Sequence, residues 1–189
     1  GNIHSHAIKT DGTLWGWGKN SLNQLGDGTT TQRASPVQIG SVTNWASVSD
    51  GNGFGHAIKT DGTLWGWGYK GNGQIGDGTT TTRASPVQIG SATWASVSNS
   101  NGTAHAIKTD GTLWGWGYNN YNNIGDGYTF HRASPVQIGS DTNWASTSQG
   151  HSHGHAIKTN GTLWGWGLNT NNQIGDGTTT ARSSPVQIG

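Results

Sequence analysis

One stretch constrains this chain more than any other: His6 to Gly18 (His-Ala-Ile-Lys-Thr-Asp-Gly-Thr-Leu-Trp-Gly-Trp-Gly) returns almost unchanged from His56, His105 and His155, at spacings of 50, 49 and 50 residues. A period of that size, with a short apolar run on either side of a turn, marks a repeated supersecondary unit. Within each copy, His6 to Lys9 reads as one strand, Asp11-Gly12 as the turn and Thr13 to Gly18 as the next strand. Asp-Gly between two such runs predicts a β-hairpin, because both residues tolerate the positive φ that tight turns require.

The remainder of the unit extends that hairpin. A Gly/Asn/Thr-rich span, Asn20 to Thr31, is too poor in apolar residues for a helix and too rich in glycine for a regular strand, which predicts a folded-back loop. Pro36 to Gly40 follows as a strand opening on proline. Proline costs no ladder bond at an edge, so this strand belongs on the outside of a small sheet. Asn44 to Ser49 supplies a fourth strand whose small residues suit the narrow inner edge near a central axis. Four short strands per repeat, with glycines and aromatics in register, define an all-β fold: a β-propeller of four-stranded antiparallel blades. The chain reads as a single repeat array over 1–189, with repeats at about 1–40, 41–89, 90–139 and 140–189. The inner strand occurs three times (Asn44 to Ser49, Thr93 to Ser98, Asn143 to Ser148) and the other strands four times each, so fifteen strands stand where four full blades need sixteen.

No single blade carries enough apolar surface to stand alone, so adjacent blades must pack on one another. The packing groups are Trp15, Trp65, Trp114 and Trp164 with the second set Trp17, Trp67, Trp116 and Trp166. A buried tryptophan removes about 150–250 Å² from water, a gross gain of roughly 4–6 kcal/mol. That reading places these rings in the core and not on a sugar-binding platform.

Ten basic against nine acidic side chains, with no Lys/Arg run, excludes an electrostatic grip on nucleic acid. No apolar stretch approaches the length of a membrane span, and the absence of cysteine leaves the redox compartment open. The reading is of a soluble protein of unassigned compartment. The chain begins at Gly1 without methionine or signal segment, which reads as a processed chain or an excised portion of a longer one.

Trp45-Ala-Ser-Val-Ser, His56-Ala-Ile, Asp61-Gly-Thr-Leu-Trp-Gly-Trp-Gly68, Asn72-Gly-Gln-Ile-Gly-Asp-Gly78 and Pro86-Val together resemble the regulator of chromosome condensation repeat, over the whole chain in four copies. The resemblance implies a propeller whose blades each have four antiparallel strands with the small-residue strand innermost. Well-known members are seven-bladed, a number that four units cannot reach in one chain. Members act as nucleotide exchange factors for a small nuclear GTPase, as chromatin-binding proteins, as light sensors and as inhibitors of β-lactamase, so the family does not choose a function.

The acidic residues are all aspartates and most occupy repeated Asp-Gly turns, where a carboxylate caps backbone N–H groups. Neither a converged acid, base and nucleophile nor a phosphate cradle can be read from the chain, which predicts no enzymatic activity and no cofactor. The recurring His6, His56, His105 and His155 read as structural. His151 and His153 share a face of an extended segment and, with His4, form the metal-ligand candidate. Differences between the copies concentrate in loops. Tyr69 and Tyr118 share a column with Lys19 and Leu168, and the third repeat adds Tyr121, Tyr128, Phe130 and His131. These six aromatic positions are the candidate binding residues, with packing over the blade's own edge as the alternative.

The functional expectation is a non-catalytic scaffold for protein–protein interaction or self-assembly. Alternatives are a lectin-like propeller and, by family analogy, a guanine nucleotide exchange-type regulator. Open blade faces at the two ends predict a homodimer closing an eight-bladed ring with two-fold symmetry, against a compact four-bladed monomer. A protein partner would bind through the loops.

Overall fold

The computed structural model describes residues 1–69 and 71–189, which form fourteen β-strands. The first sheet holds β1 (His4–Ile8), β2 (Leu14–Gly18) and β3 (Arg33–Gln38) in that order. The second contains β4 (Trp45–Asp50), β5 (Phe54–Lys59), β6 (Thr63–Gly68) and the start of β7 (Arg83–Asn99). The end of β7 opens the third, followed by β8 (Thr103–Lys108), β9 (Leu113–Gly117) and β10 (Arg132–Gln137). The fourth comprises β11 (Trp144–Gln149), β12 (His153–Lys158), β13 (Leu163–Gly167) and β14 (Arg182–Ile188). All pairings are antiparallel.

Strand β7 does two jobs. Its first half pairs with β6 as an outer strand, Val87 opposite Gly66, and its second half pairs with β8 as an inner strand, Val97 opposite Ala106. The cause is in the sequence. Gly90-Ser-Ala-Thr93 lacks the asparagine that precedes Trp45 and Trp144, so the connection stays extended; the same deletion makes the second spacing 49 residues. The proline-led strand lies at the outer edge as expected, but it starts at Arg33, before Pro36, and bulges between Gly16 and Gly18 of its partner. The first sheet has three strands, and β1 lacks an inner neighbour among the described residues.

The hairpin turn differs from the simple Asp-Gly expectation. Gly12 has a φ of 77° whereas Asp11 keeps a negative φ, so glycine alone takes the left-handed position. Asp11 works through its side chain, whose Oδ1 accepts from Thr13 N at 3.0 Å and from Thr13 Oγ1 at 2.6 Å.

The core lies between blades, not within them. Leu14 and Ile39 of the first blade meet Trp45, Ala57 and Trp67 of the second. Phe54, Ile58, Leu64, Ile75 and Ile89 meet Trp94, Ala104, Ala106 and Trp116. Ile107, Leu113, Ile124 and Ile138 meet Trp144, Ala156 and Trp166. Each blade thus has an aliphatic face and a tryptophan face, and the aliphatic face of one blade stacks on the tryptophan face of the next. The two terminal faces are uncovered. Ile157 and Leu163 are 42% and 37% exposed, against 4% and 0% for the equivalent Ile58 and Leu64. At the other end, Ala7 is exposed and Trp17 half-buried, although Ala57, Ala106, Trp67 and Trp116 are all sealed from solvent.

Candidate binding face and ligand cluster

The long loops are polar and rigidly tied. Asn20 Nδ2 donates to Asp27 Oδ1 at 2.9 Å and to Thr29 O at 2.9 Å, while its Oδ1 accepts from Leu25 N at 3.0 Å; Asn119 and Asn169 repeat this geometry. Arg33, Arg83, Arg132 and Arg182 pair with Asp27, Asp77, Asp126 and Asp176 at 2.6–2.7 Å. The repeated arginines therefore fix the loop before the outer strand. Burial pushes the Asp176 carboxyl up, but hydrogen bonds from Arg182, Thr178 and Asn169 outweigh it and hold it down at about 2.

The recurring histidines pin the same loops. Nε2 of His6, His56, His105 and His155 lies 2.9–3.1 Å from the carbonyl oxygens of Leu25, Ile75, Ile124 and Ile174. Burial lowers His56 and His105 to about 4, against the opposing pull of those carbonyls.

The two tryptophan sets have separate tasks. Trp67, Trp116 and Trp166 are fully buried, and each indole N–H donates across the blade boundary, to Gln24 O at 3.0 Å, Gln74 O at 2.9 Å and Asn123 O at 2.9 Å. Trp17 is the uncovered member. Trp15, Trp65, Trp114 and Trp164 are half-buried, donate to Thr13, Thr63, Thr112 and Thr162, and carry a lysine amine 3.5–3.9 Å from the ring centre.

Some of the variable aromatics converge. Tyr69, Tyr118 and Tyr121 line one cleft of about 360 Å³ with Asn52, Asn101 and His151. Tyr118 is its keystone, 6.1 Å from the Tyr121 ring and 5.0 Å from the His131 ring. His131 Nδ1 accepts from Asn119 N at 3.1 Å, which ties this stack to the loop. Tyr128 and Phe130 do not line the cleft; they stand 57% and 69% exposed on the long loop, with Arg132 5.4 Å from the Tyr128 ring centre. A second, more polar cleft of about 400 Å³ is lined by Gly1, Asn2 and the ends of the inner strands, where Asp50, Asn99 and Gln149 occupy one column.

His4 is buried and groups with His6 and Asp50; His151 and His153 lie outside that cluster. His6 Nδ1 is 2.7 Å from Asp50 Oδ1 and His4 Nε2 is 3.6 Å from it. Burial pushes the Asp50 carboxyl up, yet His4 and His6 more than reverse this and hold it well below the usual carboxylate range. His153 stacks edge-on against His155, at 5.3 Å between centroids, and burial lowers it. Asp50 belongs to no motif of the repeat, and its signal in the sequence is of another kind: it is the one carboxylate in a column that otherwise holds Asn99 and Gln149.

Stacked antiparallel blades of this geometry define an arc of a β-propeller. The Regulator of chromosome condensation (RCC1) repeat matches residues 11–58, 61–105, 110–157 and 160–189, and the chain belongs to that family. Among solved structures, 99% of the chain is similar to human WBSCR16 (TM-score 0.88, 22% identity, 51% of that chain). It is also similar to Prp20p, the RCC1 of the yeast Saccharomyces cerevisiae (TM-score 0.87, 19% identity, 99% of this chain, 48% of that chain). The chain spans about half the length of these structures. No curated protein matches it by sequence. Among the described residues, no helix is long and apolar enough to cross a membrane.

Proposed function

We propose that the chain is a non-catalytic propeller scaffold that assembles through its two open blade faces with a second copy of itself. One observation carries this: Leu163 at one end, and Ala7 and Trp17 at the other, are positions that the three internal interfaces bury, and the position of Ile157 is packed in all three and buried in two. The receptor for Trp17 is also preformed. Gly26, Gly76 and Gly125 sit against Trp67, Trp116 and Trp166, with a Cβ built on each falling within 2.8 Å of the indole. At the equivalent Gly175 a Cβ meets, among the described residues, Ile188 alone, at 3.8 Å. A second copy supplies the indole for that space, and two four-blade arcs related by a two-fold axis cover both pairs of faces at once. Sedimentation equilibrium at micromolar concentration should give twice the chain mass; the mass of one chain would overturn the assembly.

Recognition of a protein partner is the second reading, favoured by the cleft that gathers Tyr69, Tyr118, Tyr121 and His151 from the loops of three blades. Rigid blades with variable loops suit such a task, and the similar Prp20p is described by its binding to Gsp1p and histones. Tyr128, Phe130 and His131 form the rim on this reading. An exchange-type regulator belongs to the same class of macromolecular recognition. A lectin-like role is disfavoured by the lysine amines over Trp15, Trp65, Trp114 and Trp164. Catalysis has little support, since the aspartates are engaged in turns, loop ion pairs and the His4–His6 cluster.

A further inference from the structure

We infer that His4, His6 and Asp50 form a binding site for a borderline divalent cation of the zinc class, clamping the first blade to the second. The ligand atoms of the three side chains lie within 4.8 Å of one another. Two imidazoles and one carboxylate are a donor set suited to zinc, nickel or copper, with further positions left for water.

His4 supplies the independent sign of a ligand. Its side chain is 0% exposed, and neither Nδ1 nor Nε2 has a hydrogen-bond partner among the described residues. Burying an imidazole with neither nitrogen in a hydrogen bond is costly, and a native structure seldom keeps such groups without a reason. Nε2 points at Asp50 Oδ1 from 3.6 Å, too far for a good hydrogen bond. That gap nevertheless matches the spacing of two ligands around a tetrahedral ion, about 3.3 Å when each bond is about 2.0–2.1 Å.

His6 is already held as metal-bound histidines usually are. Its Nε2 faces the Leu25 carbonyl at 3.1 Å, which orients the ring and leaves Nδ1 toward Asp50. A carbonyl can only accept, so Nε2 is the donor there, and Nδ1 is the nitrogen that faces the proposed cation. The 2.7 Å contact between His6 Nδ1 and Asp50 Oδ1 opens by about 0.6 Å to reach that tetrahedral spacing. Access is through the polar cleft whose wall includes Asp50.

The other repeats lack the set. Their equivalents are Phe54, His56 and Asn99 in the second blade and Thr103, His105 and Gln149 in the third. The fourth repeats the histidine pair as His153 and His155, in the same edge-on arrangement as His4 and His6. Because His4 and His6 lie on β1 and Asp50 on β4, the ion would join two blades, beyond the scaffold role proposed above.

The test uses the full chain stripped with a chelator and titrated with Zn²⁺ alone by calorimetry, with the thermal midpoint as a second readout. One equivalent per chain and a raised midpoint are expected. His4→Phe and Asp50→Asn each install what the second repeat carries naturally, so the fold is kept; each should weaken binding at least about tenfold and remove the midpoint shift. His153→Phe should change neither. Absence of Zn²⁺ binding, binding that survives both His4→Phe and Asp50→Asn, or binding lost in His153→Phe would overturn the site.

Discussion

The indole N–H of Trp67 donates to the carbonyl of Gln24, 3.0 Å away across the boundary between the first and second blades. That bond satisfies the polar end of a ring whose apolar body fills the interface, which is how a fully buried tryptophan is normally accommodated. The same pairing recurs at Trp116 and Trp166. Trp17, the matching ring of the first blade, is only half-buried; under the assembly proposed above, a second copy would supply its acceptor.

Replacement of Trp116 by Ala should therefore cost about 3–5 kcal/mol, since it removes a fully buried ring and leaves Gln74 O without its donor. Trp17→Ala should cost far less within one chain and should abolish the two-chain species. Urea unfolding together with sedimentation separates the two effects.

The glycine column gives a sharper comparison. Gly76 and Gly175 have nearly the same φ, 85° and 83°, so alanine pays a similar backbone penalty of about 1 kcal/mol at each. At Gly76 the added Cβ also lands 2.7 Å from Trp116 Nε1. Gly76→Ala should lower the melting temperature well beyond Gly175→Ala, whereas Gly175→Ala should chiefly weaken association.

Acid should destabilise the chain in two windows. His56 and His105 lie at about 4 in the folded state against 6.5 for the free side chain. Their folded values are depressed, so the unfolded chain binds protons first, and stability is lost as pH falls from about 6.5 to about 4, by about 1.4 kcal/mol per pH unit for each histidine. Asp176, at about 2 against 3.8, adds a second loss as pH falls from about 4 to about 2. Denaturant curves between pH 7.5 and 4 should fall steadily, and His56→Gln should flatten that slope.

Tyr128 and Phe130, being mostly exposed, should tolerate threonine with a change within about 0.5 kcal/mol each. Tyr118→Thr should lower the melting temperature measurably, because it removes the ring shared by Tyr121 and His131. Loss of partner capture in the Tyr128/Phe130 double variant at unchanged melting temperature would support recognition through that rim.

The sequence alone determined the repeat, the hairpin, the outer position of the proline-led strand, the family and the incomplete first sheet. Each of these follows from local turn chemistry and alternation within about fifty residues, which one repeat carries in full. Tertiary structure decided what happens between repeats. It separated Trp67, sealed between blades, from Trp65, capped by Lys59, although the two stand two residues apart on one strand. It brought Asp50 to His6, 44 residues away, and placed Tyr69 with Tyr118 in one cleft while leaving Phe130 outside. The physical reason is that strand periodicity assigns a side chain to a face of its own sheet, whereas its neighbours are set by how one rigid sheet stacks on the next.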